Sequence, residues 1–248
     1  MRTLENQTLL YDEDCPLCRV YTSGFTKAGM LDENGKKSYC QLSDEEQNFI
    51  DVKRASNEIA LVDNENKTVI YGIDSLLKVI GFSFPWIEKI GTVKPIKFFL
   101  KKLYSFISYN RKVIIPSKIN KEIKLQCVPD FSYKYRILYI LFAILVSSLI
   151  VNQFNIKFQF LEIILFITSL VVIKTVLLLK FSKEIVLNYL GNFMTSILFG
   201  SLFLVPMIIL KSFLNISEIT FQIYFYLTLS IVIFDIYRRI QIIKFNPK

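Results

Sequence analysis

An α/β domain followed by an all-α domain of four membrane-spanning helices is the fold class this sequence predicts, and three observations predict it. First, the 52% of the 248 residues that are hydrophobic are unevenly spread: residues 1–130 are mixed and polar, whereas residues 135–236 are dominated by Ile, Leu, Phe and Val. That is the distribution of a water-facing domain joined to a membrane domain, not of one large core. Second, strand-like and helix-like stretches alternate over the first 80 residues. Third, a Cys15-x-x-Cys18 pair lies between an apolar run, Thr8–Tyr11, and a helical pattern.

The elements follow in order. Thr8–Tyr11 reads as a strand. Pro16 suits the first turn of a helix running from about Leu17 to Ala28 and ended by Gly29. Ser38–Leu42 is a second strand. Ser43-Asp44-Glu45-Glu46 is a capping box that opens a helix to about Lys53. Glu58–Val62 is a third strand, Asp63–Lys67 a hairpin loop and Thr68–Tyr71 the returning strand. Ile73–Ile80 is an amphipathic helix stopped by Gly81. The order is β-α-β-α-β-β-α, that of a thioredoxin-like domain with its Cys-x-x-Cys at the end of the first strand.

Beyond this core (8–81), residues 82–115 supply closing helices. Phe84-Pro85-Trp86-Ile87 breaks the pattern, and Pro95–Tyr109 is an amphipathic helix expected to turn Phe98, Phe99, Leu103, Phe106 and Ile107 inward. Lys94, Lys97, Lys101 and Lys102 make it basic, so it could lie on an inner membrane surface or pack on the domain. The first domain is thus expected over 1–115, a linker over 116–134 and the membrane domain over 135–248.

Four apolar segments, Tyr135–Phe154, Phe158–Leu179, Leu187–Leu210 and Ile219–Tyr237, each approach the roughly 20 residues that cross a bilayer. Lys134, Arg136, Lys180, Lys183, Arg238, Arg239 and Lys244 fall on one side, and Lys157, Lys211 and Glu218 on the other. The excess of positive charge places both termini of a multi-pass cell-membrane protein in the cytoplasm, and the cysteine pair on the reducing side. Met1–Gln7 has no apolar stretch, so no signal peptide is expected. The net charge of +9 largely flanks the apolar segments, so the partner it implies is lipid, not nucleic acid.

The chain has four cysteines and no histidine. Cys-His and Ser-His-Asp catalysis are excluded, as are His-ligated haem, copper and non-haem iron. Thiol chemistry remains. A helix N-terminus carries partial positive charge and favours a thiolate at Cys15. Cys18, one turn on, can attack a mixed disulfide formed by Cys15. Cys15 is expected to be the more exposed and more acidic thiol, Cys18 the more buried. Asp12 could accept the Cys18 proton, or serve as a turn or N-cap carboxylate. Asp12, Glu13 and Asp14 oppose thiolate formation, and Arg19 partly offsets them.

Asp12-x-x-Cys15-x-x-Cys18 after an apolar strand resembles the DCC family of thiol-disulfide oxidoreductase-like proteins, named for this Asp-Cys-Cys pattern. Two later stretches are similar to further blocks of that family: Val62-Asp63 with Tyr71-Gly72-Ile73-Asp74-Ser75-Leu76, where Ser75 stands in place of the usual Ala, and Tyr104–Arg111, a closing helix ending in Asn110-Arg111. The resemblance covers about residues 8–115. It implies a thioredoxin-like fold and dithiol–disulfide activity, with Cys15 attacking, Cys18 resolving and Asp12 as the motif carboxylate. No metal or organic cofactor is implied, and the expected partner is a protein or small-molecule thiol or disulfide. One departure is that Ala55–Ile59, where thioredoxins carry a cis-proline before the third strand, has no proline.

Alternatives stand beside this reading. Structural zinc needs about four Cys or His ligands, and only Cys40 and Cys127 could join the pair. Cys40 reads as a core residue of a strand. Cys127 reads as a packed cysteine or as a third redox thiol. Glu162, Lys174, Asn188, Asn192 and Asp235 are polar residues within the apolar segments, read as structural or interfacial. As a whole, the chain could instead be a non-catalytic docking or redox-sensing subunit of a membrane complex, assembled with another membrane protein.

Overall fold

The computed structural model describes residues 2–117, 127, 129–153, 168–169, 171–172, 174–176, 178–214 and 216–243. The chain divides into two compact units, Met1–Ser132 and Tyr133–Lys248. Residues 127–132, which the sequence reading assigns to a linker, fall within the first.

In the first unit, β1 (Gln7–Tyr11) runs parallel to β2 (Lys36–Ser38) and antiparallel to β3 (Ala60–Asp63). β3 pairs antiparallel with β4 (Thr68–Tyr71), giving a mixed sheet in the order β2-β1-β3-β4. Successive side chains of a strand point to opposite faces. Leu10, Ala60 and Val62 accordingly enter one cluster with Tyr39, Leu42, Ile50 and Ala55, while Leu9, Ile59 and Leu61 enter another with Leu4, Leu31 and Val79. Both faces are covered, which is why Ala60-Leu61-Val62 is an unbroken apolar run.

The elements depart from expectation where tertiary packing overrides local pattern. The second strand ends at Ser38, and Tyr39–Gln41 forms a 3₁₀ turn. A strand would send Tyr39 and Leu42 to opposite faces. Three residues per turn puts both into the same cluster. The Ser43–Glu46 capping box is present, with Ser43 N–H donating to Glu46 Oε2 (2.7 Å) and Glu46 N–H to Ser43 Oγ (3.3 Å). Its helix α2 (Asp44–Gln47) stops early so that Ile50 can enter the core. Asp51 then caps a new helix, α3 (Val52–Asn57), by accepting from Arg54 N–H (2.9 Å).

The helix α1 (Pro16–Lys27) links β1 to β2. Helix α4 (Ile73–Ser83) begins at Gly72, whose φ of 65° suits glycine, and runs through Gly81 instead of stopping there. It ends at Phe84 because a residue before proline is driven out of the helical region, here to φ −131° and ψ 81°. A Cβ on Gly81 would lie 2.5 Å from Glu88 Cβ, so the glycine permits close approach of α5 (Pro85–Gly91). The last helix of the unit, α6 (Lys94–Ile114), is longer than expected and differently oriented. Phe98, Phe99, Leu103 and Ile107 are exposed and Phe106 is half-buried. The inward positions include Ser108, Arg111 and Val113.

Among its described residues the second unit contains three helices long and apolar enough to cross a membrane: α7 (Tyr133–Asn152), α8 (Lys183–Phe213) and α9 (Glu218–Ile242). α7 packs on α8, and α8 on α9. The expected segment Phe158–Leu179 lies largely outside the described residues, together with Lys157, Glu162 and Lys244. Asp235 is satisfied within the unit: it accepts from Ser196 Oγ (2.7 Å), Arg239 Nε (2.6 Å) and Arg238 Nη2 (2.7 Å). Asn192 Oδ1 accepts from buried Arg239 (3.3 Å), and Asn188 supplies its carbonyl to Asn192 Nδ2 (2.9 Å). Lys174 sits over the Tyr189 ring at 5.5 Å.

Candidate dithiol site

The loop from Asp12 to Cys15 delivers the first thiol to the start of α1. Asp14 N–H donates to Asp12 Oδ1 (3.0 Å) and Cys15 N–H to the Asp12 carbonyl (3.1 Å). Cys15 is the N-cap of α1, in an extended conformation, and Pro16 follows at the first helical position. Proline there sacrifices no hydrogen bond, because that N–H has no partner within the helix. Cys18 follows within the first turn. Both thiols are free and buried, at 0% and 5% exposure. The expectation that Cys15 is the more exposed is therefore corrected: packing covers both.

The two thiols are electrostatically unequal, in the expected sense. Cys15 is lowered to about 6, chiefly because the Cys18 thiol donates to it, with the Cys18 backbone N–H and the Arg111 charge adding to this against the cost of burial. Cys18 is pushed up by that same hydrogen bond, by burial and by the negative charge on Cys15.

Beneath the pair lies a buried ionic cluster. Asp12 Oδ2 lies 3.4 Å from Arg111 Nη2 and 3.0 Å from Lys112 Nζ, with the Asp12 and Arg111 side chains 3% and 6% exposed. Arg111 also donates to the carbonyls of Ser56 (2.9 Å) and Asn57 (3.5 Å) and to Cys127 Sγ (3.4 Å). Its helix binds the same segment at two further points. Ser108 Oγ donates to the Asn57 carbonyl (2.5 Å), and Tyr104 Oη accepts from Ile59 N–H (2.7 Å). Positions 104, 108 and 111 have i, i+4, i+7 spacing and share one face of α6. That face staples residues 56–59, the stretch in which no proline was found. No cis peptide bond occurs among the described residues.

Residues 9–115 match the family model described as DCC1-like thiol-disulfide oxidoreductase. The match lies within the first unit, so the N-terminal domain is similar to that family over this range. No curated protein and no solved structure matches the chain. The matched range of the DCC1-like domain holds Asp12, Cys15 and Cys18 together with Gly72–Ser75 and Asn110-Arg111. Within the second block, Ser75 Oγ donates to the Gly72 carbonyl (2.6 Å), and Asp74 pairs with Lys97 (2.8 Å) and Lys101 (3.5 Å).

Nothing in the local sequence assigns a role to Arg111 or Lys112, the cations paired with Asp12. The one signal was the Asn110-Arg111 pair in the family resemblance, because nothing local ties residue 111 to residue 12. Arg19, the expected counter-charge, is exposed. Cys40 lies half-buried in the 3₁₀ turn, not in a core strand. Cys127 is packed in the cluster with Leu10 and Tyr39, and burial pushes its thiol up to about 12. Among the described residues no three Cys, Asp or Glu side chains are grouped as metal ligands.

The low value of Cys15 fixes a pH dependence. A thiol that ionises more readily folded than unfolded adds stability as pH rises from about 6 towards its ordinary value near 9. Cys18 and Cys127, both raised, act oppositely, so the reduced protein loses that gain above about pH 9. Thiolate absorbance near 240 nm is expected to show one thiol titrating around pH 6. A first transition near pH 9, the ordinary thiol value, would contradict the site as described.

Proposed function

We propose that the DCC1-like domain is thioredoxin-like and exchanges disulfides with a protein or small-molecule thiol through Cys15 and Cys18. The observation that carries this reading is the placement of two free thiols at one helix start, Cys15 at the N-cap of α1 and Cys18 in its first turn, where Cys15 is held towards thiolate and Cys18 towards the thiol. The sheet order, with a parallel β1–β2 pair and an antiparallel β3–β4 hairpin, supports the fold. The reaction follows from the chemistry. The Cys15 thiolate attacks one sulfur of a substrate disulfide, the substrate S–S bond breaks, and one substrate thiolate leaves. Cys18 then loses its proton and attacks Cys15 Sγ. The mixed disulfide breaks, Cys15–Cys18 forms, and two electrons have passed to the substrate. Asp12 anchors Arg111 and, as the buried carboxylate of this loop, is the group assigned to take the Cys18 proton.

The apolar helices make this a multi-pass membrane protein in our reading. The charge bias of Lys134, Arg136, Lys180 and Lys183 supports a reading with both termini in the cytoplasm. The burial of both thiols favours a second reading, a docking or redox-sensing subunit of a membrane complex. Exchanging Cys18 for Ser tests between them. Under the first reading, Cys18→Ser accumulates a mixed disulfide at Cys15, seen as a mass increase that dithiothreitol reverses. Under the second, no adduct forms, and a partner co-purifies equally well when both cysteines are replaced.

A further inference from the structure

The face of α6 described above holds the helix on the domain through Tyr104, Ser108 and Arg111. A different face is left exposed among the described residues. Ile96, Phe99, Leu103 and Ile107 recur at i, i+3, i+7 and i+11, so they form one stripe along the helix. All four are exposed, from 37% at Ile96 to 64% at Phe99. On the preceding helix α5, Trp86 and Ile90 are 62% and 50% exposed one turn apart. An apolar surface of this extent on a folded domain marks a contact.

Charge selects the occupant. α6 carries six basic residues (Lys94, Lys97, Lys101, Lys102, Arg111 and Lys112) and no acidic one. Asp74 pairs with both Lys97 and Lys101 from a neighbouring helix, and Arg111 and Lys112 pair with Asp12. Lys94 and Lys102, with Lys89 on α5, have no carboxylate partner among the described residues. Lys102 stands 5.4 Å over the ring of exposed Phe98. Aromatic and aliphatic residues rimmed by lysines are the composition of a helix that lies in a membrane interface. Among the described residues, three helices of the second unit are long and apolar enough to cross a bilayer.

We propose that the exposed stripe of α6, with Trp86 of α5, is a docking surface for an anionic lipid bilayer, its apolar side chains entering the headgroup region and Lys89, Lys94 and Lys102 meeting lipid phosphates. The proposal does not depend on the thiol chemistry.

Trp86 is the only tryptophan in the chain, so its fluorescence reports this surface without labelling. The full-length protein would be placed in nanodiscs of phosphatidylcholine, with or without phosphatidylglycerol. A second sample would carry W86F and F99W, moving the reporter onto the stripe. The expected result at both positions is blue-shifted emission, at least twofold stronger quenching by lipids brominated in their acyl chains than by aqueous iodide, and an increase in lipid quenching when phosphatidylglycerol is present. Quenching by iodide alone would overturn the proposal, because the surface would then face water. Protection from both quenchers would also overturn it, because protein would then cover the stripe. Lipid quenching indifferent to phosphatidylglycerol would overturn its anionic specificity.

Discussion

Replacing Cys15 with Ser is expected to reduce disulfide exchange to the uncatalysed rate, with the fold intact. Cys15 is held below the ordinary thiol range, chiefly by the hydrogen bond from Cys18, so it is a better thiolate at pH 7 than an ordinary thiol, which is only a few per cent ionised there. A serine hydroxyl supplies no anion at that pH and forms no disulfide. Its smaller size leaves Asp12, Arg111 and the N-terminus of α1 in place. The measurement is turnover of a small disulfide by the purified full-length protein, with a thermal melt as control. Retained turnover at an unchanged melting temperature would show that Cys15 is not the attacking group.

Arg111→Leu is expected to cost about 3–5 kcal/mol, the usual penalty for removing one partner of a buried ion pair. That is a large part of the roughly 5–15 kcal/mol that holds a domain folded. Leucine leaves Asp12 with Lys112 as its remaining ion-pair partner among the described residues and leaves the Ser56 carbonyl without its 2.9 Å donor. Arg111→Lys keeps the charge but loses the fork that reaches Asp12 and Ser56 together, so it falls between. Two readouts separate structure from electrostatics. Alkylation of Cys127, buried against Arg111, reports loosening. The Cys15 titration is expected to move upward in Arg111→Leu and to stay near its original place in Arg111→Lys. If Arg111→Leu melts within a degree or two of the parent, Arg111 is not the hub described.

What could be read in the sequence was what local physics decides. The hairpin at Asp63–Lys67, the Ser43 cap and the start of α1 at Pro16 each follow from residues within a few positions of one another. The early stop of α2 does not, because it depends on Ile50 reaching a core assembled from distant strands. The orientation of α6 was misread for a related reason. A periodicity argument turns apolar residues inward, but this helix turns Tyr104, Ser108 and Arg111 inward, where their polar ends meet the backbone of residues 56–59. Arg111 and Asp12 are 99 positions apart, so only the fold brings them together. The cysteine pair was legible because its chemistry is local: two thiols one turn apart at a helix start.

The central claim is that Cys15 and Cys18 form a reversible disulfide. The most direct measurement equilibrates the full-length protein with dithiothreitol or glutathione buffers of graded potential, blocks free thiols, and locates the disulfide by peptide mass. The expected result is a single two-electron transition of the Cys15–Cys18 peptide between about −270 and −120 mV, the span of known exchange proteins. A pair that stays reduced at every potential, or a disulfide that instead joins Cys40 or Cys127, would contradict it.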